Sequence, residues 1–212
     1  MPNETRTTLA RWFKALLLCQ TAELCTEVLD LFGILSGVAV WTSRIAAAVV
    51  IVTLAQMAET NPRYRKAAVF HAVALAGGVL VRLGLGVLAL VLSVCSLVAM
   101  YHEFGAHEQL LAPLDETLAA RWHSLFYWKL FGGLLAAVVG MVPALVLTLL
   151  GWQTDAVTTV VTACIAVVTL ALEGLHALYL RQTLGRMRGV TALPEKRTAA
   201  FPEEADRKRW ER

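Results

Sequence analysis

The chain reads as an all-α integral membrane protein, a polytopic helical bundle of about six transmembrane helices in three hairpins. Apolar residues make up 58% of its 212 positions, and mean hydropathy is +0.62. A soluble domain of this size holds about 45–50% apolar residues. The excess gathers in runs, of which Tyr127 to Trp152 and Val157 to Leu180 are the clearest. Runs of roughly 18 or more apolar residues with few charges suit the hydrocarbon core of a bilayer.

The spacing predicts spans at about 10–32, 38–57, 66–81, 84–102, 125–151 and 155–181, within a membrane domain covering 1–182. The first run carries Glu23, Glu27 and Asp30, which do not suit the apolar stretch of a cleavable signal peptide, so an uncleaved segment is expected. Gln20, Glu23, Glu27 and Asp30 follow at helical spacing and form one polar stripe. Such a helix either crosses with its stripe facing other helices or lies in the interface. Crossing is favoured, because lying flat outside would put Arg6, Arg11 and Lys14 on the wrong side.

The third and fourth segments need separating, since Ala67 to Met100 is almost continuously apolar. As one helix this stretch would run about 51 Å, against a hydrocarbon core of about 30 Å. Arg82, Gly84 and Gly86 offer a turn near its middle. Charge bias agrees with the turn. Two helices put Arg63, Arg65, Lys66, Arg121 and the basic tail on the same side as the N-terminus, leaving Arg44 and Arg82 opposite. Lys and Arg collect in cytoplasmic loops, so both termini are predicted cytoplasmic. Trp41 and Trp152 then fall at the outer interface, and Trp12, Tyr64, Tyr101, Trp122 and Tyr179 at the inner one, as amphipathic rings prefer.

The stretch from Tyr101 to Ser124 is expected as the longest internal loop. Leu114, Leu118, Trp122 and Leu125 recur at helical spacing behind Pro113, Asp115 and Glu116, which suit a helix start. They predict a short amphipathic cytoplasmic helix on the membrane surface. After it come the last two spans and a charged cytoplasmic tail, 183–212, containing Pro194 and Pro202, expected to be loose or to rest on anionic lipid.

Ionisable residues at bilayer depth are costly and point to function. Three sets qualify: Glu23, Glu27 and Asp30; Glu173 with His176; and Arg44 with Arg82. Asp30 lies within reach of Arg44 or Arg82, and a bridge there would only fix helix register. Glu23 and Glu27 have no evident cation, although His71 and His176 lie at similar depth. The functional alternative is a water-lined ion or proton path with Glu23 and Glu27 as its carboxylates, joined by Asp30, Glu173 and His176.

Other chemistry is poorly supported. Glu173 and His176 form one Glu-x-x-His pair, whereas di-iron bundles need two such pairs and two further glutamates. His102 and His107 are five apart, not the four a zinc-protease helix requires, and the stretch reads as a polar interfacial loop. Cys19, Cys25, Cys95 and Cys164 lie in apolar segments without a C-x-x-C pair, so they read as packing residues. No phosphate cradle or nucleophile elbow is present. No metal or cofactor is expected. Net charge is only +3, so nucleic acid is not an expected partner.

Small residues at four-residue spacing, namely Gly33 with Gly37, Ala68 with Ala72 and Ala76, and Gly132 with Ala136 and Gly140, suit close helix packing in lipid. The overall pattern is that of a small protein of a bacterial inner membrane. The first expectation for function is a non-enzymatic structural or accessory subunit, acting through helix packing and cytoplasmic surfaces. Its partners would be the lipid bilayer and either a second copy or a different membrane protein. The second expectation is a small transporter or channel for a cation or proton, built on the intramembrane carboxylates.

Overall fold

The computed structural model describes residues 3–31, 36–82, 88–151 and 154–189. Within them the chain forms six α-helices: α1 (Asn3–Leu31), α2 (Ser36–Met57), α3 (Pro62–Arg82), α4 (Leu88–Leu111), α5 (Glu116–Leu149) and α6 (Thr154–Met187). Each packs against the next, and α6 returns against α1, so the six close into a ring. Consecutive helices run antiparallel, and α6 lies antiparallel to α1. Arg6 pairs with the end of α6 through Arg186, while Gln20 further along α1 meets Glu173.

Three helices carry stretches long and apolar enough to cross a membrane: Val40–Met57, Ala89–Leu111 and Val161–Met187. The expectation of six is therefore met only in part among the described residues. The first helix falls short because charge recurs along it, at Arg6, Arg11, Lys14, Glu23, Glu27 and Asp30. The third carries Arg63, Arg65, Lys66 and Arg82, and its side chains from 79 to 82 lie outside the described residues. The fifth is apolar beyond Lys129, and several of its side chains past Gly132 lie outside the described residues. Helices three and four are separate, with α3 ending at Arg82 as the charge argument required.

The expected loop between Tyr101 and Ser124 is largely helix. The fourth helix runs on to Leu111, and the turn covers only 112–115. His102 to His107 therefore lie within a helix and not in an interfacial loop. Gly105, between the two histidines, sits against the Arg63 side chain. The expected surface helix is the first part of α5. Asp115 caps it by accepting a hydrogen bond from the Leu118 amide at 3.0 Å. Its apolar stripe faces protein, not membrane: Leu118, Trp122 and Leu125 are all buried. Trp122 and Tyr64 thus belong to the core and not to an interfacial belt.

Packing is uneven along the ring. Every large, fully buried side chain, including Phe13, Leu54, Tyr64, Phe104, Trp122 and Leu180, sits in the half that holds the helix ends near residues 3, 57, 62, 111, 116 and 187. This is called the terminal end below. The outer surface is apolar, with Ile45, Val52, Leu90, Trp128, Phe131 and Leu149 all exposed. Small residues allow close contact at two seams. A side chain on Gly77 would collide with Leu92, and one on Gly132 would come within 2.7 Å of Leu172. A side chain on Gly37 would meet nothing within 4 Å, and Ala72 and Ala76 are exposed, so no close seam is seen at these members of the small-residue sets among the described residues. Gly33 and the tail beyond Gly189 lie outside the described residues.

Candidate functional site

The polar stripe of α1 does face the other helices. Gln20, Glu23 and Glu27 line a cavity of about 220 Å³ at the centre of the ring. Every helix contributes to its wall: Ser43 and Val50 from α2, His71 from α3, Met100 and Glu103 from α4, Lys129 from α5, and Glu173 and His176 from α6. The ring closure explains the convergence. An up-and-down ring of six helices turns one face of each toward a common axis, so side chains distant in sequence meet there.

Two of the four carboxylates are paired. The Lys129 ammonium donates to Glu173 Oε1 at 2.8 Å and Oε2 at 2.7 Å, and to His176 Nδ1 at 3.2 Å. The Gln20 side-chain amide donates to Glu173 Oε2 at 2.8 Å, which ties α1, α5 and α6 together at one carboxylate. Lys129 also lies 5.7 Å from the centre of the Phe104 ring, within cation–π range. Glu103 on α4 is held by His71 Nε2 at 3.0 Å on one oxygen, with His107 Nε2 at 3.7 Å from the other.

Glu23 and Glu27 differ from these. Glu23 is half-buried and Glu27 exposed, and neither forms a hydrogen bond or ion pair with a described residue. They line the cavity beside two carboxylates that already have partners, Lys129 for Glu173 and His71 for Glu103.

Toward the terminal end the cavity is stopped by an aromatic plug. His107 is fully buried between Trp122, with ring centres 4.4 Å apart, and Phe13, at 5.1 Å. Its Nδ1 lies 2.8 Å from the Tyr64 hydroxyl. The Trp122 indole N–H donates to Thr183 at 3.0 Å. Phe104 and Trp122 both stand edge-on to the His176 imidazole, at 5.1 and 5.6 Å. The His176 Nε2 atom is buried without a hydrogen-bond partner among the described residues. Polar links thus run from the cavity into the plug through His71, Glu103, His107 and Tyr64. Tyr64→Phe removes only the hydroxyl of that last bond and is expected to cost about 1–3 kcal/mol, because it leaves the buried His107 Nδ1 without its partner. Thermal unfolding in detergent measures it, and an unchanged midpoint would mean His107 is held without Tyr64.

Of the residues singled out in the sequence, Glu23, Glu27, His71, Glu173 and His176 come together in this cavity. His71, expected near Glu23 and Glu27, is bound to Glu103 instead, and His176 to Lys129 and Glu173. Arg44 stacks on Trp41 of its own helix at 5.4 Å. The side chains of Asp30 and Arg82 lie outside the described residues, so the bridge expected between them does too. Lys129, Glu103 and His107 were missed. A lone lysine inside an apolar run and a Glu–His pair four apart on a helix were the available signals.

The Glu173–His176 pair, considered for a di-iron site, has both carboxylate oxygens and one imidazole nitrogen engaged by Lys129. Among the described residues no group of three His, Cys, Asp or Glu side chains is placed to hold a metal. The four cysteines are unpaired. No protein-family model matches the chain, and no curated protein or solved structure matches it either.

Proposed function

We propose that the protein is a small membrane transporter or channel for a cation or proton, with Glu23 and Glu27 as the carboxylates that receive it. One observation carries this reading: a polar cavity walled by all six helices, in which two carboxylates are paired, one with Lys129 and one with a histidine, and two have no partner among the described residues. An ionised carboxylate at bilayer depth costs about 2.5–3.5 kcal/mol on insertion scales, so unpaired ones there default to function.

The reading takes all six helices across the membrane. Their lengths support it, since 21 residues in α3 and 34 in α5 correspond to about 32 and 51 Å at the helical rise, against a core of about 30 Å. Apart from Asp30 and Arg82, whose side chains lie outside the described residues, the charges along α1 and α3 have two locations that lipid tolerates. Glu23, Glu27 and His71 face the cavity, while Arg6, Arg11, Lys14, Arg63, Arg65 and Lys66 cluster at the terminal end. That cluster supports a cytoplasmic terminal end, with both termini inside. The exposed apolar outer surface suits lipid.

An accessory subunit, the first expectation from sequence, rests on absent motifs and packing faces. It has no use for a charged central cavity and ranks second. A partner protein or second copy remains part of that reading.

Cation binding is measurable as stabilisation. With sodium or potassium near 100 times its dissociation constant, the folded protein gains about 2.7 kcal/mol, or roughly 5–10 °C in midpoint for a chain of this size. Choline chloride at equal ionic strength is expected to give no such rise. Replacing Glu23 and Glu27 together by Gln removes the rise while leaving the fold intact. An equal rise in the double variant would exclude these carboxylates as the site.

A further inference from the structure

We propose that the cleft between the start of α1 and the end of α6 binds a phosphate-bearing anion, supplied in the membrane by the headgroup of an anionic lipid. The cleft measures about 480 Å³ and is lined by Arg6, Arg11 and Lys14 from α1 and by Arg188 just past α6, with Thr7 beside them. Among the described residues no aspartate or glutamate lines it. Arg11, Lys14 and Arg188 are exposed and form no ion pair with a described residue.

Arg6 gives the cleft a second mark of an anion site. Its Nη2 donates to the Arg186 carbonyl at 2.9 Å, which fixes the guanidinium in place, while its Nε is buried without a hydrogen-bond partner. A planar guanidinium held this way presents donors suited to bidentate phosphate binding. The neighbouring Arg186 shows the contrast, since its own Nε pairs with Asp115 Oδ2 at 2.7 Å. The four cations in the cleft form no ion pair with a described residue. Like charges so gathered repel, and a dianionic or monoanionic phosphate relieves that repulsion.

The position gives the site a consequence. The seam between α1 and α6 is the one that closes the ring between helices distant in sequence. An anion held by Arg6, Arg11 and Lys14 on one side and Arg188 on the other staples that seam at the terminal end. The same two helices carry Glu23, Glu27 and Glu173 further along, yet the staple does not depend on what the cavity receives.

Thermal unfolding of the full-length protein in an uncharged detergent tests this, with phosphatidylglycerol, phosphatidylcholine or inorganic phosphate added separately. Phosphatidylglycerol is expected to raise the midpoint by several degrees and phosphatidylcholine not to. Replacing Arg11, Lys14 and Arg188 by Gln abolishes the rise, and in detergent alone leaves the midpoint level or higher, because it removes the like-charge repulsion. Replacing the equally exposed Arg65, Lys66 and Arg181 by Gln leaves the rise in place. Protection by inorganic phosphate equal to that by the lipid assigns the same site to free phosphate, and weaker protection assigns it to the headgroup. Equal loss in the two triple variants, or no rise in the wild type, overturns the proposal. The residues after Gly189 include Glu195, Glu203, Glu204 and Asp206. A rise seen only when these four are changed to amides would mean that the chain's own tail fills the cleft, and would also overturn it.

Discussion

Replacing Lys129 by Met is expected to destabilise the protein by about 3–5 kcal/mol, the cost of removing one partner from a buried ion pair. Lys129 neutralises Glu173 through both carboxylate oxygens, its side chain is only 9% exposed, and Glu173 is 24% exposed. Without the ammonium, Glu173 keeps only the Gln20 amide and the more distant His176 ring. The second substitution makes the result specific. Glu173→Gln in the Lys129→Met background removes the orphaned charge, so most of the loss is expected to return. A double-mutant cycle on thermal midpoints in detergent measures this coupling. Additive losses would mean that the two side chains are screened from one another and that the cavity is wetter than its geometry indicates.

Replacing Trp122 by Ala is the second large effect, with an expected loss of about 3–5 kcal/mol from truncating a large, fully buried aromatic side chain. Trp122 touches His107, Phe104, His176 and Tyr179 and bonds to Thr183. Its removal opens a void in the plug that separates the cavity from the terminal end. Trp122→Phe keeps most of the volume, loses the bond to Thr183, and is expected to cost about 1–3 kcal/mol, mainly by leaving the buried Thr183 hydroxyl without its donor. In proteoliposomes the Ala variant, if it retains its helices, should leak small cations faster than wild type, while the Phe variant should not. A folded Ala variant with wild-type permeability would show that the plug lies off the path.

Much of this was legible from spacing. The period of Gln20, Glu23 and Glu27 marked one helical face, and that face lines the cavity. Arg82 and the flanking charge bias marked the break between helices three and four. The plug was not legible. Trp122 and Tyr64 were read as interfacial rings because aromatic residues near the ends of apolar runs suit both a lipid headgroup region and a protein core. Contacts between helices bury them, Tyr64 against His107 of α4 and Trp122 against α4 and α6, and a single sequence carries no signal for those contacts. Another contact between helices explains the missed Lys129. Within its own helix it is an interruption, and its role appears only with Glu173 opposite it on the neighbouring helix.

The central claim is that Glu23 and Glu27 receive a cation inside the ring. Uptake of radioactive sodium or rubidium into proteoliposomes, with wild type and the Glu23→Gln/Glu27→Gln variant reconstituted at equal protein content, tests it most directly. The account predicts uptake well above protein-free vesicles for the wild type and background uptake for the folded variant. Equal uptake in both, or background uptake by a folded wild type, would contradict it and return the chain to the role of an accessory subunit.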